Sequence, residues 1–412
     1  MRSNKTTWKT KDEYILEEIK MSNELYKGQF FDYFGVIFDK RQQEKVWHKL
    51  MDILFIIVSA AFCNIDVPDA IYLWAVQEQN EKWLRKYIEL KNGIPSLSTI
   101  KRVLRWLDPK QFEKCFIAWV GNMTVFSEKG GDTVAIDGKT TKGSRDGDKV
   151  THIVNAWCSA NNLVLGQVKT EEKSNEITAI PELLDLLYVE GCVITIDAMG
   201  CQRKIVEKII KEKHADYVIG LKGNQETLHN EVINYFEDLK KDGELKKIEK
   251  NESENEKVEM VQTLDKGHGR IELRKYYYST DTEWMVDAKR EWMGLTGIGM
   301  EYTKVTIKDK ISEGVRYFIG SVDNVQQFAK SARQHWGVEC VHWSLDVCYK
   351  DDANKTRKDF AAENLAVARR IALNMCRNDK ELQPKLTGPN KRLLASLNED
   401  YRTKIFELNF KK

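Results

Sequence analysis

The sequence predicts an α/β protein: a mixed sheet carrying a β-rich insertion, preceded by an all-helical N-terminal domain. Three observations carry this. Residues 1–128 place apolar side chains at helical spacing with few strand signals. From Thr133 the order reads strand, strand, strand, helix, strand, helix, strand, which makes a mixed sheet with helices able to cover its faces. Between 259 and 322 strand texture returns without a helical partner, and from Val325 the chain turns helical again. The expected boundaries are therefore 1–128, 129–240, 241–324 for the insertion, and 325–412 for C-terminal helices that complete the sheet domain.

In the N-terminal domain, Asp39 to Trp74 has helical periodicity. Its apolar run, Leu50 to Cys63, is 14 residues long and interrupted by Asp52, too short to cross a bilayer and suited to a buried helix. Gly93-Ile94-Pro95-Ser96 marks a turn, and Ser98 is placed to cap a helix from Thr99. Ile100, Val103, Leu104 and Leu107 share one face of that helix, with Lys101, Arg102 and Arg105 among the other positions. A turn followed by a basic helix is a possible DNA reader, or a helical hairpin with a solvated basic side. Both readings stay open at this level.

In the sheet domain, TVAIDG, VTHIVNAWCS, NLVLGQVKT, CVITIDAMG and DYVIGLKGN read as strands. EITAIPELLDLLYVEG, CQRKIVEKIIKEKHA and QETLHNEVINYFEDLKK read as helices. The charged stretch 241–258 reads as an exposed loop or a solvated connection. Beyond it MVQTLDKG, RIELRKYYYST, GIGMEYTKVTIKD and GVRYFIGSV form the β-rich insertion, and two helical patterns close the chain.

Composition limits the function. Four hundred and twelve residues exceed one ordinary domain, and 42% hydrophobic residues suffice for a sizeable core. With 65 Lys plus Arg against 63 Asp plus Glu, the chain is no polycation, so any nucleic-acid surface must come from local charge. Eight scattered cysteines with no CxxC pair argue against a disulfide scaffold or zinc ribbon and suit a reducing cytoplasm. The polar N-terminus lacks the apolar core of a signal peptide, which points to a cytoplasmic protein with no membrane partner.

Asp137 follows the apolar run TVAI, and Asp197 follows VITI. Each either caps a turn after its strand or meets the other at a shared site. Two carboxylates converging on a sheet edge are costly to bury without a cation, and a hard oxygen donor set selects Mg2+ or Mn2+ over zinc. A third acid is expected from RQHWGVECVHWSLDV, where Glu339 shares a helix face with His335, Trp336, His342, Trp343 and Asp346. Glu363 is its competitor, better suited to a first-turn position.

The stretches VAIDGKTTKGS, IVNAWCSANNLVLGQ, EEKSNEITAIPELL, VITIDAMGCQ, DYVIGLKGNQ, RQHWGVECVHWSLDV and AAENLAVARRIALN occur in collinear order. Together they resemble the DDE transposases of bacterial insertion sequences, most closely the H-repeat-associated branch. DYFGVIFDKRQQEKVWHKLMDILFIIV and NGIPSLSTIKRVLRWLDP are similar to that branch's associated N-terminal domain. The resemblance implies a ribonuclease H-like catalytic core with Asp137, Asp197 and Glu339 as catalytic and metal-binding carboxylates. It also implies Mg2+ or Mn2+, most often two ions, as cofactor, with cleavage and strand transfer of double-stranded DNA at element ends and at a target. A homodimer assembled on DNA is the implied working state. The chain departs from the wider group's Tyr-x2-Arg-x3-Glu-x6-Lys pattern, having Ala332, His335 and Asp346 at the flanking positions, and from a frequent His-Asp at Leu97-Ser98. The basic DNA contacts of the wider group therefore do not carry over.

DNA-binding candidates are Lys101, Arg102 and Arg105 on the N-terminal helix, Lys139 and Lys142 after the first aspartate, and Arg203 and Lys204 after the second. Lys222, His335 and Trp336 complete the set. Two rival functions remain: a catalytically silent or domesticated DNA-binding relative, and a zinc hydrolase using His335, Glu339 and His342, whose HxxxExxH spacing is not that of zincins.

Overall fold

The computed structural model describes residues 29–410 apart from 147–148, 171–175, 268 and 309, and the side chains of 141–151 also lie outside what is described. The N-terminal helices are α1 (Gln29–Phe34), α2 (Leu50–Phe62), α3 (Pro68–Ala75), α4 (Glu78–Leu84), α5 (Leu97–Trp106) and α6 (Pro109–Met123). Then follow β1 (Thr133–Asp146), β2 (Lys149–Cys158), β3 (Leu163–Thr170), α7 (Glu176–Leu186), β4 (Val193–Ile196), α8 (Arg203–Lys211), β5 (Asp216–Leu221), α9 (Glu226–Lys241) and α10 (Glu244–Glu249). The chain closes with β6 (Val258–Gly267), β7 (Arg270–Ser279), α11 (Val286–Glu291), β8 (Gly297–Ile307), β9 (Lys310–Gly320), α12 (Val325–Val347), α13 (Ala361–Asn378), α14 (Gly388–Leu397) and α15 (Glu399–Phe410). Among the described residues, no helix is long and apolar enough to cross a membrane.

Among the described residues two compact units emerge, one within 29–124, 141–150 and 343–410, the other within 125–140 and 151–342. The first is helical, and its core is aromatic. Phe30 stacks on Phe34 at 4.7 Å, and Phe55, Trp83, Phe406 and Phe410 close around them. α2 is buried along nearly its whole length, as the apolar run from Leu50 predicts. A fully buried guanidinium, Arg392, donates to the carbonyls of Ala61 and Cys348 and lies 3.9 Å over the Tyr349 ring. From residue 343 onward the chain packs in this helical unit.

The second unit holds a nine-stranded sheet in the order β3-β2-β1-β4-β5-β9-β8-β7-β6. β1, β4 and β5 run parallel to their neighbours in that group, while β2–β3, β5–β9 and the β6–β9 meander pair antiparallel. The expected mixed sheet and strand–helix order are therefore present. The β-rich insertion does not form a layer of its own: β9 pairs with β5 and continues the same sheet.

Three local expectations need correction. Ser96, not Ser98, caps α5, its side chain accepting from the Thr99 N–H. The stretch 241–258 is not all loop: α10 forms there because Leu245 and Ile248, spaced by one helical turn, are both buried. β1 also runs past Asp137 to Asp146 instead of ending at it.

Candidate active site

Parallel pairing aligns Ile136 of β1 with Ile196 of β4 and stops there. Asp137 and Asp197 are therefore the next residues on two adjacent parallel strands, at the C-terminal end of their shared ladder. Asp197 leaves the strand and caps a short 3-10 turn, its Oδ1 accepting from the N–H groups of Met199 and Gly200. The turn-capping reading holds for this aspartate, and both bonds fall on one oxygen.

α12 brings the third acid. Its start is anchored by Val325 and Phe328, buried among Tyr276, Tyr278 and Phe318 of the meander. Further along, Ser331 and Thr133 of β1 share a hydrogen bond at 3.2 Å, and His335 Nδ1 lies 2.9 Å from Thr195 Oγ1 of β4. A Cβ on Gly337 would sit 2.6 Å from Trp157 Nε1 of β2, so only glycine lets the helix lie this close to the sheet. Glu339 follows two residues later. It is exposed, yet burial of its surroundings pushes its carboxyl up, against the pull of Arg316.

The charges meet at Asp137. Its carboxyl is pushed up to about 7, first by burial and then by the negative charge of Asp197, with Glu176 and Glu339 adding to it; the Gly138 N–H acts in the opposite direction. His342 Nδ1 lies 3.5 Å from Asp137 Oδ2, and its Nε2 accepts from Asn155 Nδ2 at 3.1 Å, which leaves the ring proton facing the aspartate. Among the described residues no three His, Cys, Asp or Glu side chains are drawn into a ligand shell. The donor set nevertheless suits a hard divalent cation, because the oxygens are anionic and their shared charge raises the free energy of the ionised site.

The other candidates scatter. Lys101 is paired with Asp69 at 3.0 Å and Arg105 with Asp359 at 2.7 Å, while Arg102 lies 6.0 Å over Trp106. Lys139 is buried, Arg203 pairs with Glu291 at 2.6 Å, and Lys204 and Lys222 are exposed. The side chain of Lys142 lies outside the described residues. His335 is held against Thr195 and burial lowers its pKa to about 4, so it is neutral at physiological pH and supplies no cation for a phosphate. That bond and the pairing of His342 with Asn155 also turn the two histidines away from a common zinc site. Trp336 is half exposed and borders a groove of about 540 Å³ whose lining includes Arg270, Arg274, Arg316 and Arg333 together with Glu272 and Glu313, Arg270 and Arg274 being paired with Glu272. These arginines were not legible together in the sequence, because they lie on β7, β9 and α12, more than sixty residues apart from first to last. Sequence reading also missed Glu176 and His152, buried behind Asp137, although both lie in or beside stretches already singled out.

A family model described as Transposase DDE domain matches residues 128–375, and the DDE_Tnp_1-associated model matches residues 31–120. The chain belongs to the DDE transposase family. Among curated proteins, this transposase is 41% identical over 392 residues to "Putative transposase YncI" of Escherichia coli O157:H7, covering 92% of this chain and 96% of that one. It is 36% identical over 361 residues to "H repeat-associated putative transposase YhhI" of Escherichia coli K12, covering 85% of this chain and 91% of the relative. The expected H-repeat branch is thus the right one. Asp137, Asp197 and Glu339 all fall within the matched transposase domain.

Proposed function

We propose that this transposase cuts and joins DNA at the ends of an insertion sequence, on a ribonuclease H-like core, with Asp137, Asp197 and Glu339 as its catalytic carboxylates. The observation that carries the reading is that Asp137 and Asp197 each directly follow the last paired residue of the β1–β4 ladder, and that the negative charges of Asp197 and of Glu339 on α12 both push the Asp137 carboxyl up. These residues would hold Mg2+ or Mn2+, which when bound would activate the attacking water or 3′-hydroxyl and stabilise the leaving oxygen. Asp197 Oδ1 is oriented by two backbone N–H groups, which keeps the carboxylate from rotating. His342 presents an N–H to Asp137 and limits its rotamers. Glu339 stands exposed on α12, where duplex DNA can approach. Arg333 and Arg316, the latter also paired with Glu301, line the groove beside Trp336 and would contact phosphates, giving affinity without sequence reading. Two element ends call for two subunits, so the working form is a homodimer on DNA, acting at the bacterial nucleoid.

The test is cleavage, in Mg2+ or Mn2+, of duplexes carrying the DNA that flanks the reading frame. Asp137→Asn removes one charge without changing size. It should keep DNA binding and lose cleavage. A variant that cuts as the wild type does sinks the assignment.

A further inference from the structure

Behind Asp137 lies a buried polar chain that the three carboxylates do not account for. His152 of β2 is 2% exposed and Glu176, in the first turn of α7, 5%. Imidazole Nε2 is hydrogen-bonded to Glu176 Oε1, and Nδ1 lies 2.8 Å from Thr140 Oγ1 of β1. With the Thr140 hydroxyl donating to Nδ1, the ring proton sits on Nε2 and is donated to the glutamate. This chain presses on the backbone of the residue after Asp137: a Cβ on Gly138 would collide with both Glu176 Oε1 and His152 Nε2.

Burying such a pair costs more desolvation than an apolar filling of the same volume. What the pair adds is direction. It joins β1, β2 and α7 through bonds of fixed length, and its contact is with the peptide that sets where the Asp137 side chain starts. We propose that His152 and Glu176 are positioning residues of the acidic site, holding the β1 backbone at Gly138 so that Asp137 stands in register with Asp197. This rests on the function proposed above.

The test uses the full chain, duplex DNA from the flanks of the reading frame, and Mn2+ as the metal probe. His152→Phe keeps the ring and removes both hydrogen bonds. The expected result is unchanged DNA affinity and a lowered melting temperature, because Glu176 stays buried without its partner, with kcat and Mn2+ affinity measured on the folded protein, the latter read from the EPR signal of free Mn2+, each lowered roughly tenfold or more. Glu176→Gln keeps an acceptor oxygen for Nε2–H and should retain most of both, whereas Glu176→Ala should resemble His152→Phe. The double variant His152→Phe/Glu176→Ala should lose no more than either single one, because both act through one strut. A folded His152→Phe protein with wild-type kcat and Mn2+ affinity overturns the proposal, as does a loss confined to melting temperature. If His152→Phe does not fold, Thr140→Val decides: kcat should fall at least about threefold at constant DNA affinity, and wild-type kcat overturns the idea. Asp137→Asn run alongside separates the two levels. If it cuts normally, the proposed function itself is wrong; if it is dead while His152→Phe is fully active, only the positioning role is.

Discussion

Replacing Asp137 by asparagine should change how the stability of the metal-free protein depends on pH, in a direction and by an amount that follow from the site. Burial and neighbouring carboxylates lift the Asp137 pKa from 3.8 to about 7 in the folded chain. The native state therefore binds more protons than the unfolded state between those values, so stability falls as pH rises through this window and levels off above it. At about pH 5 the penalty is roughly 1.7 kcal/mol, and at about pH 8 roughly 4.3 kcal/mol, from 1.36 kcal/mol per pKa unit. Wild type should thus lose about 2.6 kcal/mol relative to Asp137→Asn over that range, as an upper figure. Asp197, Glu176, Glu339 and His342 face the same carboxyl and are present in both proteins, so the double difference isolates Asp137 and its coupling to them. Urea unfolding of both proteins in EDTA at the two pH values measures it. Parallel stability curves would refute the charge cluster, because they would mean that Asp137 ionises as freely in the fold as outside it.

Other outcomes can be checked with the same protein. Gly138→Ala should cost several-fold in cleavage with little change in DNA affinity, since the new methyl must displace Glu176 and His152; kinetics under excess DNA reads it. Arg392→Met removes donors to the Ala61 and Cys348 carbonyls and leaves Asp66, 3.7 Å away, with its pairing to Arg369; urea melts should show a loss on the order of 3 kcal/mol. Replacing Lys101, Arg102 and Arg105 together by alanine should cost at most about 1 kcal/mol of stability for each surface ion pair lost. If α5 contacts DNA, the same variant should flatten the salt dependence of binding by up to about one unit of slope per lost phosphate contact; unchanged affinity and slope assign these charges to bracing the helical unit.

The large features were legible because they rest on periodicity. Short apolar runs made β1, β4 and β5, a longer one made α2, and a 3.6-residue pattern made α5. Features set by a single contact were not. Nothing local distinguishes Ser96 from Ser98 as a cap until the chain's entry angle is known, and α10 needed two buried residues inside a strongly charged stretch. The pairing of β9 with β5 was also hidden, because an antiparallel partner some hundred residues away leaves no mark on either strand.

At the site, what was legible was the chemistry of each residue and not the company it keeps. An aspartate after an apolar run suggests a strand-end acid; Asp197 is one, whereas β1 runs on past Asp137, and the two follow the last paired residues of one ladder. The acid stripe of α12 also contained the histidines, but the stripe alone could not say that His335 would turn to Thr195 while His342 turned to Asp137. Those choices depend on which strand lies beneath each helical turn, and that is decided by the close approach at Gly337 and the seating of Phe328. Glu176 shows the same limit most clearly. In the sequence it is an ordinary first-turn acid, favoured there by the helix dipole. Only the fold sets it against His152 and the backbone of Gly138, and that contact gives a residue suited to capping a means of acting on Asp137.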